Sequence, residues 1–482
     1  MEKRTLITNS LSLLVTRLIQ SIATFVLTAA IARNLGAYEL GQYLLAFSYY
    51  FVFASIASQG LKTLFTRELS RNPEEIPVYL VNGTFLQMLL SVLGYGAMII
   101  LVFLLPYNPD TSMVCYIMGL AIIPFSLSNI TEAIFQAQEK MTLIAASTVP
   151  VYILRLVVMI WCIQELNYGV NYIAGIFVVS EVIVFIIQWV MLTSMIKPRW
   201  EIKQDFIRQL LKSARTFFAI DAVGIITSKT SILIISLLGS EVMVGLFGAV
   251  VQLMQPISMI IQSVSLAAFP GMTKAVNSGK KKQAQVAENI VTMLMCIALP
   301  FVIGIYFIGN DLIRFIYQNS DFNQIELVLQ LTVLSVLASP FIRTLGYLLL
   351  SNGLEKYNLK EVLITNTVGN VAGVVLISQF QLMGAAFMYL SMSLTAFTIL
   401  MYGVYSRLFV LNLWRIMYRP LLIGGSMTLV FLLLQRYQIN FVLVLILSTS
   451  AYALIASFLA VNTLGGVNVL RAKIFKKSER ET

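Results

Sequence analysis

Seven ionisable side chains fall inside long apolar runs of this 482-residue chain: Arg17, Glu132, Arg155, Glu181, Asp221, Lys229 and Arg343. A charge in hydrocarbon is costly, so such groups face a bundle interior or a wet cavity. Two chemistries are open to them. Arg155 with Glu181, or Lys229 with Asp221, can close internal ion pairs. Alternatively, the cationic surplus suits an anionic ligand, because Arg and Lys donate charge-assisted hydrogen bonds to phosphate oxygens. Polar residues at helical spacing point to a lined cavity. Gln20, Ser21, Thr24 and Thr28 share a stripe with Arg17, and Ser126, Asn129, Glu132 and Gln136 make a second. Asn366, Gly369, Asn370 and Gly373 make a third, small and polar face. The candidate ligand contacts are therefore Arg17, Arg155, Lys229, Arg343, Gln20, Thr24, Asn129, Asn366 and Asn370. Glu132, Glu181 and Asp221 are the candidates for ion coupling.

Other chemistries lack their residues. The chain has no histidine, hence no imidazole base and no histidine-bound zinc. Cys115, Cys162 and Cys296 lie far apart in apolar runs and read as buried small hydrophobes. Gly279-Lys280 is followed by Lys281, and position 274 is Lys where a phosphate-binding loop needs Gly. No cofactor, metal or ATP hydrolysis is expected. Met1-Glu2-Lys3-Arg4 leads into a long span without a small-residue cleavage site, so no cleaved signal is expected.

The elements that must position these groups are membrane helices. Hydrophobic residues make up 58% of the chain and charged ones 11%, with a mean hydropathy of +0.85. A soluble domain carries about 25% charged residues, so a soluble enzyme is excluded. A span needs about 20 apolar residues to cross about 30 Å of hydrocarbon. Fourteen runs qualify: 8–32, 42–61, 80–105, 113–137, 143–164, 169–195, 216–238, 243–268, 290–309, 327–351, 361–379, 384–406, 418–434 and 440–463. With a cytoplasmic N-terminus, 26 of the 33 cations fall on the inner side, Lys62 among them, and only Arg33, Arg314 and Arg436 fall outside. The net charge of +11 is thus a topology signal, with both termini inside, and not a nucleic-acid footprint.

The chain also repeats itself. Pro124-Phe125 precedes Glu139-Lys140 at the same spacing as Pro340-Phe341 precedes Glu355-Lys356. Gly36 to Gly41 around Glu39 is echoed by Gly239 to Gly245 around Glu241. Spans 1–6 and 7–12 read as parallel repeats, related by an axis along the membrane normal. The expected organisation is an all-α polytopic membrane protein with an N-terminal lobe over 1–196 and an amphipathic linker over 197–215. A C-terminal lobe over 216–410 and two further helices with a basic tail over 411–482 follow. In the linker, Trp200, Phe206, Ile207, Leu210 and Leu211 alternate with cations, the pattern of a helix lying on the inner leaflet.

Ala32-Arg33-Asn34-Leu35-Gly36, Glu39-Leu40-Gly41-Gln42-Tyr43, Gly60-Leu61 followed by Thr66-Arg67-Glu68, and Phe269-Pro270 carry a resemblance over nearly the whole chain. The sequence resembles bacterial polysaccharide-export flippases of the Wzx type, in the multidrug/oligosaccharidyl-lipid/polysaccharide exporter superfamily. The resemblance implies a multi-pass inner-membrane transporter, not an enzyme. Its implied substrate is a polyprenyl-pyrophosphate-linked oligosaccharide for O-antigen (lipopolysaccharide), capsule or exopolysaccharide. It also implies the bilayer and a polymerase or export apparatus as partners, rocking of the two lobes, and a lateral gate for the lipid near spans 1 and 8. Two positions depart from relatives. The basic-x-Asp element of span 7 is here Lys229-Thr230-Ser231, and span 1 has Arg17 where drug exporters often place an acid. An ion-coupled small-molecule antiporter of the same fold is one competing reading. A polytopic glycosyltransferase or polymerase is another. That class needs sizeable outer loops, and the longest here, about 310–326, holds only four charged residues.

Overall fold

A computed structural model of the chain describes residues 2–437 and 440–463, with the side chains of 2–15, 17, 59, 215–228 and 456–463 outside the description. Arg17, Asp221 and the cations of the 464–482 tail therefore lie outside the described residues. The described chain is helical throughout, and no strand occurs among the described residues. Among the described residues, ten helices are long and apolar enough to cross a membrane, where the sequence has fourteen runs. Two causes of the difference are visible. Helices α1 (Glu2–Arg71) and α12 (Glu355–Arg407) each run through a break that the sequence counts as a connection between two spans. Lys229–Leu238 and Phe441–Ile455 are the described apolar parts of two further helices, Gln204–Leu238 and Phe441–Thr463.

The breaks have a backbone cause. A straight helix of 70 residues would extend about 105 Å, so α1 has to turn within the membrane thickness. It does so at Gly36, whose φ of 86° and ψ of −174° only glycine adopts without strain. In α12 the break falls on Gln381, with φ 50° and ψ −123°. Between them run α2 (Ile76–Leu104), α3 (Pro109–Gly119), α4 (Ile122–Ala137), α5 (Met141–Gln164), α6 (Val170–Met195), α7 (Gln204–Leu238), α8 (Glu241–Val276), α9 (Lys280–Tyr317), α10 (Glu326–Val333) and α11 (Ser339–Ser351). After α12 come α13 (Leu413–Arg436) and α14 (Phe441–Thr463).

The chain divides into two compact units. Unit 1 is Met1–Gln252 with Ile316–Phe322 and Gly373–Ala385, and unit 2 is Leu253–Phe315, Asn323–Ala372 and Ala386–Thr482. Unit 1 is built on α1, which packs on α2 to α7. Its main buried cluster includes Leu64, Phe65, Leu80, Leu86, Ile134 and Phe135. In unit 2, Val291, Phe341, Leu345, Leu348 and Ile416 form one cluster, and α9, α13 and α14 meet around Phe431 in another.

The linker differs from the sequence expectation in two ways. Residues 197–203 are not helical, and the helix that follows runs unbroken from Gln204 to Leu238, so the amphipathic segment and the seventh run are one element. Its apolar face does not lie on lipid alone. Leu210 and Ala214 are buried in the unit 1 core, with Phe206 and Ile207 packed against it. The Phe206 ring meets Tyr79 edge-on at 4.9 Å. Asn82, fully buried, clamps the non-helical stretch: its Nδ2 donates to the Glu201 carbonyl at 2.9 Å and its Oδ1 accepts from Lys203 N at 2.8 Å.

The repeated motifs recur at matching places. Pro124-Phe125 opens α4 after a break at 120–121, and Pro340-Phe341 opens α11 after a break that includes a 3-10 turn. The Pro ring lacks the N–H that a first helical turn leaves unbonded anyway. Both pairs thus restart an interrupted span. The glycines of the other repeat meet face to face within unit 1. A Cβ on Gly41 would lie 1.7 Å from the Glu241 carbonyl oxygen, and one on Gly245 would lie 2.0 Å from the Ala37 carbonyl oxygen. Two helices can cross backbone to backbone here only because both positions lack a side chain.

Candidate functional site

After Gly36, α1 presents Tyr43, Phe47, Tyr50 and Phe51 at helical spacing on one face. This face, with Gln20 and Thr24 from the first segment of α1, Arg155 of α5 and Glu181 of α6, lines a cleft within unit 1. Phe125, Tyr152 and Phe177 complete its aromatic wall. The rings interlock edge to face: Phe177 meets Tyr50 at 5.0 Å and Phe47 at 6.0 Å. Such tilted contacts stabilise aromatic clusters beyond the area they bury.

Arg155 and Glu181 form the first of the two pairings that the sequence allowed. Arg155 Nη1 donates to Glu181 Oε1 at 2.8 Å and to Ser180 Oγ at 3.2 Å. The guanidinium also stacks over Tyr152 at 4.4 Å and over Phe177 at 4.8 Å. Glu181 is 3% exposed, so the pair has little water to screen it. Lys229 behaves differently. Its Nζ sits over Phe47 at 5.6 Å and Phe51 at 5.4 Å, and it has no carboxylate partner among the described residues. Four aromatic rings of the cleft wall thus already face the protein's own cations.

A second polar network replaces the expected free carboxylate at Glu132. Lys62 Nζ donates to Glu132 Oε2 at 2.6 Å and to Asn129 Oδ1 at 2.8 Å. Lys62, counted from the sequence as an inner-surface cation, is therefore an ion-pair partner on α1. Asn129 Nδ2 donates onward to Ser58 Oγ. On the other side Gln188 links α4, α5 and α6: its Nε2 reaches Ser147 Oγ at 3.2 Å and Glu132 Oε1 at 3.4 Å, and its Oε1 accepts from Thr131 Oγ1 at 2.7 Å. Asn129 is buried here and belongs to this network, whereas the aromatic cleft is lined by others.

Four further carboxylates lock the Gly36 end of unit 1. Asp321 Oδ2 accepts from Ala37 N at 3.1 Å and caps the segment that restarts after Gly36. Glu39 Oε2 accepts from Val170 N at 2.8 Å, at the start of α6. Asp110 Oδ2 accepts from Tyr38 at 2.8 Å and from Gln42 at 2.9 Å. Glu241 Oε1 accepts from Thr111 Oγ1 at 3.0 Å. Beside them the Tyr49, Tyr107 and Ser236 hydroxyls form a chain with links of 2.9 and 2.8 Å, and burial pushes the Tyr107 phenol above its ordinary pKa.

Arg343, Asn366 and Asn370 belong to unit 2. Arg343 is exposed and forms no salt bridge among the described residues. Asn366 Nδ2 donates back to the Val362 carbonyl at 2.6 Å. Asn370 Oδ1 is buried and has no partner among the described residues. The expected set thus falls into groups: Gln20, Thr24, Arg155 and Glu181 line the cleft, Lys229 adjoins it, Asn129 and Glu132 form the second network, and three residues lie in unit 2. Sequence reading passed over Tyr43, Tyr50 and Tyr152. The run of aromatics at 43, 47, 50 and 51 was the signal that could have found the first two.

A family model described as polysaccharide biosynthesis protein matches residues 6–276. No curated protein gave a significant match. Among solved structures, "Lipid II flippase MurJ, inward closed conformation" superposes with a TM-score of 0.74 at 16% identity, covering 95% of this chain and 100% of that one. An inward-facing multidrug resistance MATE family transporter of the MOP superfamily gives a TM-score of 0.64 at 14% identity, covering 80% and 94%. A MOP superfamily transporter from Pyrococcus furiosus, described as having a binding pocket of reverse polarity, gives 0.56 at 13% identity over 84% and 94%. At these identities the likeness is one of fold.

Proposed function

The chain belongs to the polysaccharide biosynthesis protein family, and from that premise we propose that it is a Wzx-type flippase. Its substrate is a polyprenyl-pyrophosphate-linked oligosaccharide, a repeat unit for O-antigen, capsule or exopolysaccharide. It carries this across the bacterial inner membrane by alternating access, with both termini cytoplasmic and the two repeats acting as lobes. Handover to a polymerase or export apparatus follows. Transport uses no ATP, and an ion gradient or glycan consumption drives it.

One observation supports this reading over a cation antiporter. An aromatic cage is attractive to a cationic drug because ring faces carry negative potential. Here Arg155 and Lys229 already cover Tyr152, Phe177, Phe47 and Phe51. A second cation would meet like charge at short range, whereas an anionic group meets Lys229, which has no acidic partner among the described residues. One observation favours the antiporter: Glu181 is a buried carboxylate on the cleft wall, the type of group that couples ions.

The test is complementation of a flippase-null strain with surface glycan as readout. Lys229→Ala and Arg155→Ala are expected to lose export with the protein still present in the membrane. Full export by both variants, or glycan-independent resistance to cationic drugs conferred by the wild type, would overturn the proposal.

A further inference from the structure

Three tyrosines of the unit 1 cleft have no task in the account so far. Tyr43 and Tyr50 are each 4% exposed and Tyr152 is 7% exposed. All three line the cleft. Their rings pack well, but none of their hydroxyls hydrogen-bonds to any described residue. Tyr38, Tyr49 and Tyr95 of the same unit do find partners in Asp110, Tyr107 and the Tyr116 carbonyl, and Tyr79, whose hydroxyl has none among the described residues, lies away from the cleft in the main buried cluster. None of the three oxygens is fully enclosed; each opens onto the cleft, where water or a ligand can take the bond that no described residue supplies. Three phenol hydroxyls thus face one cleft without a protein partner and are available to a ligand. They also sit together, since all three lie within electrostatic reach of Arg155.

The ligand follows from what the cleft offers. Each phenol can donate and accept, and Gln20 adds an amide at the exposed edge. Phe125 and Phe177 supply apolar wall. The charged pair is internally neutralised. Such a site suits a ring with hydroxyls on its rim, apolar C–H faces and no charge of its own. We propose that the cleft is a sugar-ring subsite, taking a neutral pyranose of the substrate while its anionic link stays near Lys229. This rests on the flippase reading and assigns a part of the substrate to a part of the site.

The experiment uses the full chain in lipid nanodiscs. Binding is measured for bare polyprenyl diphosphate and for the same lipid bearing one glucose, galactose or N-acetylglucosamine. The wild type is compared with a triple variant, Tyr43→Phe, Tyr50→Phe and Tyr152→Phe, and with each single variant in case the triple does not fold. Three new hydrogen bonds of modest net strength predict that the best glycosylated lipid binds about tenfold or more tightly than the bare one. The triple variant should lose that preference while its affinity for the bare lipid stays within about twofold, as a change confined to the sugar contacts requires. A wild type without sugar preference, or variants that retain it, overturns the subsite. If no lipid binds at all, the flippase reading fails separately. The subsite is then judged with free methyl pyranosides by saturation-transfer NMR: a signal lost in the tyrosine variants keeps it, and no signal from the wild type overturns it.

Discussion

The two units solve the same problem differently. In unit 1 two intramembrane pairs form, Arg155 with Glu181 and Lys62 with Glu132, each braced by amide or hydroxyl partners, while Lys229 lies over the Phe47 and Phe51 rings. In unit 2 Arg343 stands exposed without a salt bridge among the described residues. The described ion pair there joins Arg415 and Glu288, and Glu288 also accepts from Asn412 N, the cap residue of α13. A Pro-Phe restart occurs in each unit, whereas both sets of hairpin glycines lie in unit 1. The units thus share a backbone device and differ in how their charges are held. That is the pattern expected when a common scaffold carries two different tasks.

The comparison is broken most severely by unpairing unit 1. Glu181→Leu leaves the Arg155 guanidinium buried without its counter-charge. Removing one partner of a buried pair costs about 3–5 kcal/mol, whereas replacing both by apolar groups is often neutral. Glu181→Leu should thus lower the melting temperature in detergent sharply, and Arg155→Leu/Glu181→Leu should recover most of the loss while export stays abolished. A single variant as stable as the wild type would mean that the pair does not hold unit 1 together.

The glycine crossing comes next. Gly41→Val places atoms where the Glu241 backbone already lies. Forced overpacking costs about 1–3 kcal/mol, and here backbone rather than a side-chain tip has to move. Gly96, with nothing near its missing Cβ, is the control, and Gly96→Ala should be silent. Lys62→Met ranks below both. The pair is about one-fifth exposed, so water can reach Glu132, and a loss of about 1–2 kcal/mol is expected from thermal melts. Smaller still is Asp321→Ala, which removes the cap on Ala37 N and should cost about 1 kcal/mol.

Much of this contrast was legible beforehand. The helical class and the Arg155–Glu181 alternative follow from apolar run length and from charges in costly places. What was not legible is how helices rotate about their axes. Lys62 reads as a surface cation from its place at a span end, and only the packing of α1 on α4 turns it toward Glu132. Asn82 stands near the start of the third apolar run, and only the folding of the linker back onto it gives its amide the Glu201 carbonyl and Lys203 N as partners. Tyr43, Tyr50 and Tyr152 read as ordinary membrane aromatics, because a sequence does not show which hydroxyls find partners. Connection geometry was equally hidden: residues 204–238 form one helix where composition suggested a break at 215–216.

The smallest expected effect on stability sharpens the comparison furthest. Arg343 is exposed on α11, and no salt bridge among the described residues ties it down. Arg343→Ala should therefore change stability by no more than about 0.5 kcal/mol, as for other exposed positions. If the unpaired cation of unit 2 serves the substrate, glycan export should fall all the same. The informative quantity is the ratio of the two effects. Arg155→Ala should lose stability and export together, because its charge is built into the core of unit 1. Arg343→Ala should lose export alone. Equal stability losses in both variants would show that unit 2 holds its cation as unit 1 does, and unchanged export at Arg343→Ala would remove that residue from the substrate path.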